Sequence, residues 1–145
     1  MLIEIGNLKG YSTYIPPQDK NKKFLDKPLG SLSKIERIFD FTFESIVNRA
    51  KTIDVIWFND RKLPYSFFEV EHSTDIQNSL LKFNDLQDFY SEFYIVSDVA
   101  RKNEFNKKIE YSAFKDIKAR VKFIDYNFVS NLHTKSFELA NIGSI

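Results

Sequence analysis

The sequence contains no cysteine and only two histidines, His72 and His133. The absence of cysteine excludes disulfides, thiolate-bound zinc and a cysteine nucleophile. Two histidines argue against a metal site built mainly from imidazoles. There is also no glycine-rich phosphate loop and no G-x-S-x-G motif, which argues against an NTPase and a serine hydrolase. An active site in this chain is therefore expected to rely on carboxylates.

Long hydrophobic runs are also missing. No stretch is apolar enough and long enough to cross a membrane. Glu4 and Asn7 interrupt the apolar residues at the N-terminus, so we do not expect a signal peptide. Together with the lack of cysteine, this favours a cytoplasmic protein with no membrane partner. The formal net charge is only +1, so global charge gives little information about nucleic-acid binding.

Aromatic residues are abundant, with fifteen Phe and seven Tyr among 145 residues. Hydrophobic residues make up 43% of the chain, which predicts a folded domain with an aromatic-rich core. We expect a single domain over residues 1–145, without internal repeats. Within it, residues 1–30 are predicted to form N-terminal strands and a loop, residues 31–133 the core, and residues 134–145 a loose tail.

Helical and strand patterns alternate along the chain. The helix over 43–50 is expected to be capped by Thr42, and Thr74 has capping-box spacing with Gln77. Such alternation predicts an α/β (α+β) fold with a central mixed β-sheet flanked by helices. Strands are predicted at 1–6, 11–15, 53–58, 67–74, 93–96 and 121–124, and helices at 34–38, 43–50, 75–90, 99–109, 114–120 and, in a short form, 125–132.

Two neighbouring predicted strands carry acidic residues. Glu69 and Glu71 share one face because alternate side chains of a strand point to opposite sides. Asp54 opens the adjacent strand and is expected to lie beside them. Three such carboxylates repel one another unless a cation lies among them, and oxygen ligands favour Mg²⁺ or Mn²⁺ over zinc. The pattern predicts a divalent-metal site on the sheet; the alternative is a solvent-exposed acidic cluster.

Basic segments and one helix start are candidate phosphate contacts. Lysines beside a duplex gain affinity by releasing counterions, although a solvated loop is the simpler alternative for the segment 18–23. The helix that follows Glu71 begins close to the carboxylates, and its free amides favour a phosphate there. The predicted nucleic-acid contacts are Lys20, Lys22, Lys23, Ser73, Thr74, Arg101 and Lys102.

The order of these elements resembles the PD-(D/E)xK nuclease fold of restriction endonucleases and DNA-repair nucleases. Residues 53–58 and 68–74, with 13–19 upstream, are similar to a subgroup of restriction-endonuclease-like domains in bacterial defence proteins. The resemblance extends from about Gly10 to Leu132. It implies an αβββαβ core and Mg²⁺-dependent hydrolysis of phosphodiester bonds in DNA.

The resemblance assigns roles to individual residues. Asp54 matches the motif Asp, although Ile53 stands in the usual proline position, and Glu69 matches the (D/E) position. The family pattern implies that Asp54, Glu69 and the backbone carbonyl of Val70 bind Mg²⁺. Glu71 stands where Lys is most common. It is expected to orient the attacking water or to bind a second metal ion.

Two further residues are candidates by the same resemblance. Lys82, on the following helix, is placed to supply the ammonium group that Glu71 replaces; the alternative is a solvated helix lysine. Glu44 matches an acid that some members carry on the first core helix, but its position in a first helical turn is also explained by the helix dipole.

The implied function is a type II restriction or related defence endonuclease acting on DNA. The alternatives are a catalytically silent nuclease-like module that binds DNA or protein, and a repair or RNA nuclease on the same fold. Sequence-specific cleavage needs base-edge contacts beyond the nuclease core, and the chain has few residues outside that core. We therefore expect either a homodimer or one domain of a larger protein.

Overall fold

The fold is organised around a five-stranded mixed sheet. A computed structural model describes residues 1–21, 23–24 and 27–142. The helices of this part of the chain are α1 (Leu2–Leu8), α2 (Leu29–Leu32), α3 (Glu44–Ala50), α4 (Ile76–Asp85), α5 (Lys102–Lys108) and α6 (Tyr126–Ile142). The strands are β1 (Ser12–Tyr14), β2 (Lys23–Phe24), β3 (Lys27–Pro28), β4 (Val55–Phe58), β5 (Pro64–Glu71), β6 (Glu92–Ser97) and β7 (Val121–Asp125).

The main sheet has the strand order β1-β4-β5-β6-β7, and β2 and β3 pair separately. Strand β4 is antiparallel to β1 and β5, whereas β5, β6 and β7 are parallel. The register pairs Glu71 with Ser97 and Ser97 with Asp125, so the carboxyl ends of three strands meet at one edge. The predicted mixed sheet flanked by helices is confirmed.

Each face of the sheet is covered by its own hydrophobic cluster. Helices α4 and α5 cover one face, where Phe67, Leu80, Phe93 and Phe105 pack together. Helices α1 and α6 cover the other, where Trp57, Phe68 and Val96 are buried with Ile3 and Val129. Strand β6 is therefore buried on both faces between parallel neighbours, as its continuous apolar run predicts.

The predicted strand at residues 1–6 is wrong, because this segment is helix α1. Gly6 lies in the helix where it meets the sheet, and a Cβ there would lie 2.5 Å from Trp57 Nε1 and 2.7 Å from Thr13 Cγ2. The indole nitrogen donates a hydrogen bond to the Leu2 carbonyl at 3.1 Å. This close approach selects a helix over an extended strand.

The predicted loose tail after His133 is also wrong, because helix α6 continues to Ile142. Asp125 caps its start by accepting a hydrogen bond from the Phe128 amide at 2.8 Å. Helix α6 is also stabilised by packing against α1, which includes a 3.2 Å contact between His133 Nε2 and Glu4 Oε1. Even α6, with 17 residues, is not a candidate membrane span, and neither is any other helix in the described part of the chain.

Smaller predictions differ at element boundaries. The N-cap residue of α3 is Phe43 and not Thr42, and the Phe43 side chain makes no capping hydrogen bond. Asp75, not Thr74, caps α4 by accepting from the Gln77 amide, because Thr74 is used elsewhere. Helix α4 ends five residues before the predicted end. Residues 34–38 are not helical, and a 3₁₀ turn at Ser112–Phe114 replaces the helix predicted at 114–120.

We predict that Gly6→Ala destabilises the fold although alanine is the better helix former. The new Cβ overpacks the α1–Trp57 contact, which we expect to cost about 1–3 kcal/mol, more than the helix-propensity gain of about 1 kcal/mol. Urea unfolding of the wild type and the variant measures the difference. In a Trp57→Phe background the same substitution is expected to cost less, because the ring then ends further from residue 6. Stabilisation by Gly6→Ala alone would contradict the close approach.

Candidate active site

The acidic residues lie in an open cleft at the sheet edge where β5 ends. Strand β4 runs antiparallel to β5, so its first residues reach the same edge. The cleft has a volume of about 520 Å³. It is lined from the strands by Asp54, Glu69, Val70 and Glu71, and from the helices and the β5–α4 link by Arg49, Thr74, Asn78, Ser79, Leu81 and Lys82.

Asp54 and Glu69 are joined just beyond the β4–β5 ladder. Asp54 Oδ2 accepts a hydrogen bond from the Val70 amide at 2.7 Å, and the Asp54 amide donates to Glu69 Oε2 at 3.1 Å. The N–H and C=O groups of one strand residue point to the same side, so the Val70 carbonyl also faces the Asp54 side. Two carboxylates and one carbonyl are therefore directed to the same end of β4.

Glu69 is an almost fully buried acid, with 1% of its surface exposed. Burial raises the pKa of its carboxyl group to about 8, and the neighbouring Asp54 carboxylate acts in the same direction. Lys82 opposes this rise, since its ammonium lies 2.7 Å from Glu69 Oε1. The negative charge of the two acids is therefore only partly compensated by Lys82.

Lys82 reaches the cleft from α4. Its ammonium also donates to the Thr52 carbonyl at 3.0 Å, which fixes it between the start of β4 and Glu69. The side chain is 22% exposed, so it is not a solvated helix lysine.

Glu71 is buried beside the pair but is bound differently. The hydroxyl groups of Ser79 and Thr74 donate to its Oε1 and Oε2, and Ser97 Oγ donates to its backbone carbonyl at 2.5 Å. Burial raises the pKa of the Glu71 carboxyl, while the Ser79 hydrogen bond lowers it. No three Asp, Glu or His side chains within residues 1–21, 23–24 and 27–142 are grouped to share a metal ion. The expected convergence of three carboxylates is thus replaced by a pair and a separately held Glu71.

The other predicted residues are distributed more widely. Glu44 is exposed and lines a different cleft with Asp40 and Lys51. Lys20 donates to the Glu36 carbonyl at 2.6 Å and does not line the active-site cleft. Lys23 begins β2, whereas Lys22 lies outside the described residues. Ser73 and Lys102 are exposed, and Thr74 lines the cleft.

Arg101 is mostly enclosed by protein groups. Its Nη2 donates to the Thr74 carbonyl at 2.6 Å, and its Nε and Nη2 lie 2.9 and 2.7 Å from Glu104 Oε2. Only 19% of the side chain is exposed. The predicted phosphate contact is therefore occupied within the fold.

Sequence reasoning missed Ser79, which is 1% exposed and bonds Glu71 directly. A signal was present, because Ser79 falls on the apolar face of α4 with Ile76, Leu80 and Phe83. A small polar residue on such a face needs a partner when it is buried. Arg49, which also lines the cleft and pairs with Asp85 at 2.8 Å, carried no comparable signal.

Comparison with known proteins assigns the family. The family model described as the C-terminal domain of type II restriction enzyme NmeDI matches residues 1–143. Type II restriction enzyme NmeDI from Neisseria meningitidis serogroup C is 27% identical over an alignment of 144 residues, and the alignment covers 92% of this chain. The chain spans only 40% of that enzyme's length. No solved structure matches significantly. The chain belongs to the family described as the C-terminal domain of type II restriction enzyme NmeDI.

Proposed function

We propose that this chain is a Mg²⁺-dependent DNA endonuclease domain of type II restriction or related defence type. The observation that carries the proposal is the pair formed by Asp54 and the buried Glu69, with the Lys82 ammonium 2.7 Å from Glu69, in an open cleft at the edge of the sheet. The family membership gives this pair a context in which phosphodiester hydrolysis is the relevant chemistry. The arrangement is also compatible with the PD-(D/E)xK pattern.

The donor set fits Mg²⁺. This ion usually takes one or two carboxylates and keeps water or substrate phosphate oxygens in its other positions, so it does not need a three-carboxylate cage. Asp54, Glu69 and the Val70 carbonyl are the residues that would hold it, with Mn²⁺ as a substitute. When bound, Mg²⁺ polarises a phosphoryl oxygen and lowers the pKa of a coordinated water.

The chain's own groups position the reaction. The Val70 amide fixes the Asp54 carboxylate, and the Asp54 amide fixes Glu69. The Lys82 ammonium offers a positive charge at the cleft wall for the developing charge on phosphate. In this proposal Glu71, whose carboxylate is held by Ser79 and Thr74, orients the attacking water and accepts its proton. Glu44 has no part in this arrangement, because it lines another cleft.

DNA is the proposed partner, approached from the edge that carries Ser73 and Lys102. These exposed residues follow β5 and β6, next to the cleft. Phosphate contacts of this kind position a duplex but do not read its sequence. Since the restriction-enzyme relative is longer than this chain, we propose that base recognition comes from further domains or from a second subunit.

A second candidate is a catalytically silent DNA-binding module. It is favoured by one observation, namely that both carboxylate oxygens of Glu71, which stands where the resemblance expects a lysine, are bonded to hydroxyl groups. In that case the cleft binds DNA or metal without cleavage. Metal-dependent strand cutting separates the two candidates.

We predict that supercoiled plasmid is nicked or linearised in Mg²⁺ or Mn²⁺ and stays intact in EDTA. Asp54→Asn and Glu69→Gln are expected to lower the rate by about 100-fold or more, since roughly 3 kcal/mol of transition-state stabilisation corresponds to two decades in rate. Calorimetric titration with Mn²⁺ should show weaker binding in the same variants. Glu110→Gln, which removes an exposed acid paired with Lys118, is the matched control. DNA binding without cutting in either metal would favour the silent module.

We predict that Lys82→Met slows cleavage at saturating DNA by about 10–100-fold, the usual size for loss of a residue that supports metal ligands. The physical reason is that the buried Glu69 carboxyl loses the Lys82 ammonium 2.7 Å from its Oε1. Single-turnover rates measure this effect, and Lys82→Arg should retain more activity because it keeps the charge. Lys118→Met is the control for removal of a surface lysine. An unchanged rate in Lys82→Met would show that the ammonium has no role in the reaction.

A further inference from the structure

The link between β5 and α4, residues 72–75, carries one of the two hydroxyl groups that bind the Glu71 carboxylate. Thr74 Oγ1 donates to Glu71 Oε2. Thr74 itself is exposed and belongs to neither a helix nor a strand, so its position depends on contacts from outside the link. Two cations from the segment after β6 make such contacts. Arg101 donates to the Thr74 carbonyl at 2.6 Å, and the Lys108 ammonium pairs with the Asp75 carboxylate.

Arg101 is itself held in a fixed orientation. It ends the 3₁₀ turn Val99–Arg101, which Asp98 caps by accepting from the Ala100 amide at 2.8 Å. Glu104, one turn along α5, binds the guanidinium at Nε and Nη2. The Nη1 atom is buried and has no hydrogen-bond partner in the described part of the chain, so it is not presented to solvent. A guanidinium enclosed in this way faces the protein rather than a DNA backbone.

We propose that Arg101 is a positioning residue for Glu71 that acts through Thr74, and not a contact to the DNA phosphates. This inference rests on the proposed nuclease function, in which Glu71 orients the attacking water. The guanidinium fixes the Thr74 carbonyl, the Thr74 hydroxyl fixes one Glu71 oxygen, and Ser79 fixes the other.

The side-chain type matters for this role. The planar guanidinium fork bonds Glu104 along one side while Nη2 still reaches the Thr74 carbonyl. A lysine ammonium at the same position keeps the charge but cannot hold both partners in a fixed plane. Arg101→Lys is therefore expected to recover only part of the function that Arg101→Gln loses.

The first test separates positioning from DNA binding. Arg101→Gln is expected to lower the single-turnover cleavage rate at saturating DNA by about 10–100-fold. Its dissociation constant for a DNA duplex in EDTA, and the salt dependence of that constant, should stay close to wild type. The control is Lys107→Gln, which removes one positive charge from an exposed side chain of α5. Lys102→Gln should instead weaken binding and reduce the salt slope by about one.

A second test removes the Thr74 hydroxyl, which is the middle step of the Arg101–Thr74–Glu71 relay. Thr74→Val removes the hydroxyl at nearly constant volume, and Thr74→Ser keeps it. We expect Thr74→Val to slow cleavage and Thr74→Ser to remain near wild type. Because Arg101 and Thr74 act on the same carboxylate, the rate loss of the double variant Arg101→Gln/Thr74→Val should be smaller than the product of the single losses. Losses that multiply independently would overturn the relay.

Hydrogen exchange provides a measurement that does not depend on catalysis. Arg101→Gln is expected to speed amide exchange in residues 72–79, whereas Lys107→Gln should not. Faster exchange in Arg101→Gln, together with no cleavage by the wild type, would mean that Arg101 fixes Thr74 but that the proposed nuclease function fails. Unchanged exchange, or weaker DNA binding with a normal rate at saturation, would overturn the assignment of Arg101. Circular dichroism on every variant excludes global unfolding as the cause.

Discussion

The site depends on the hydrogen bonds that join Asp54 to β5 just beyond the end of the β4–β5 ladder. The last regular pair is Val55 with Phe68, and the next position brings Asp54 opposite Glu69. There the ladder is continued by the Asp54 carboxylate and the Glu69 carboxylate, each bound to a backbone amide of the other strand. A slip of β5 by one residue against β4 would turn Glu69 to the opposite face of the sheet and separate it from Asp54, so the site requires this strand register.

Burial of Glu69 makes this constraint electrostatic. A carboxyl group that is 1% exposed beside a second acid resists ionisation, and its raised pKa expresses that cost. The fold offsets part of this cost with the Lys82 ammonium and with the hydrogen bond from the Asp54 amide. This incomplete compensation supports our proposal that a dication and a phosphate bind here.

The parallel half of the sheet supplies the support around this pair. Because β5, β6 and β7 end at one edge, the link after β5 lies beside the turn after β6, and Arg101 can bond Thr74 across 27 positions of sequence. Glu71 is consequently held by hydroxyl groups from two different elements and by Ser97 of a third. Its separation from the Asp54–Glu69 pair follows from these partners and not from its position on the strand.

The sequence by itself determined the sheet and the identity of the acids. Strand periodicity placed Glu69 and Glu71 on one face, and the apolar run of β6 predicted a strand between parallel neighbours. Lys82 was a candidate only through the resemblance to the PD-(D/E)xK nucleases. Only the tertiary structure decided that residues 1–6 form a helix, that α6 continues past His133, that Arg101 turns inward, and that Glu71 binds Ser79. Local patterns report propensity and face, whereas these four features depend on partners in other parts of the fold: Trp57 for α1, α1 for α6, Thr74 for Arg101, and Ser79 for Glu71.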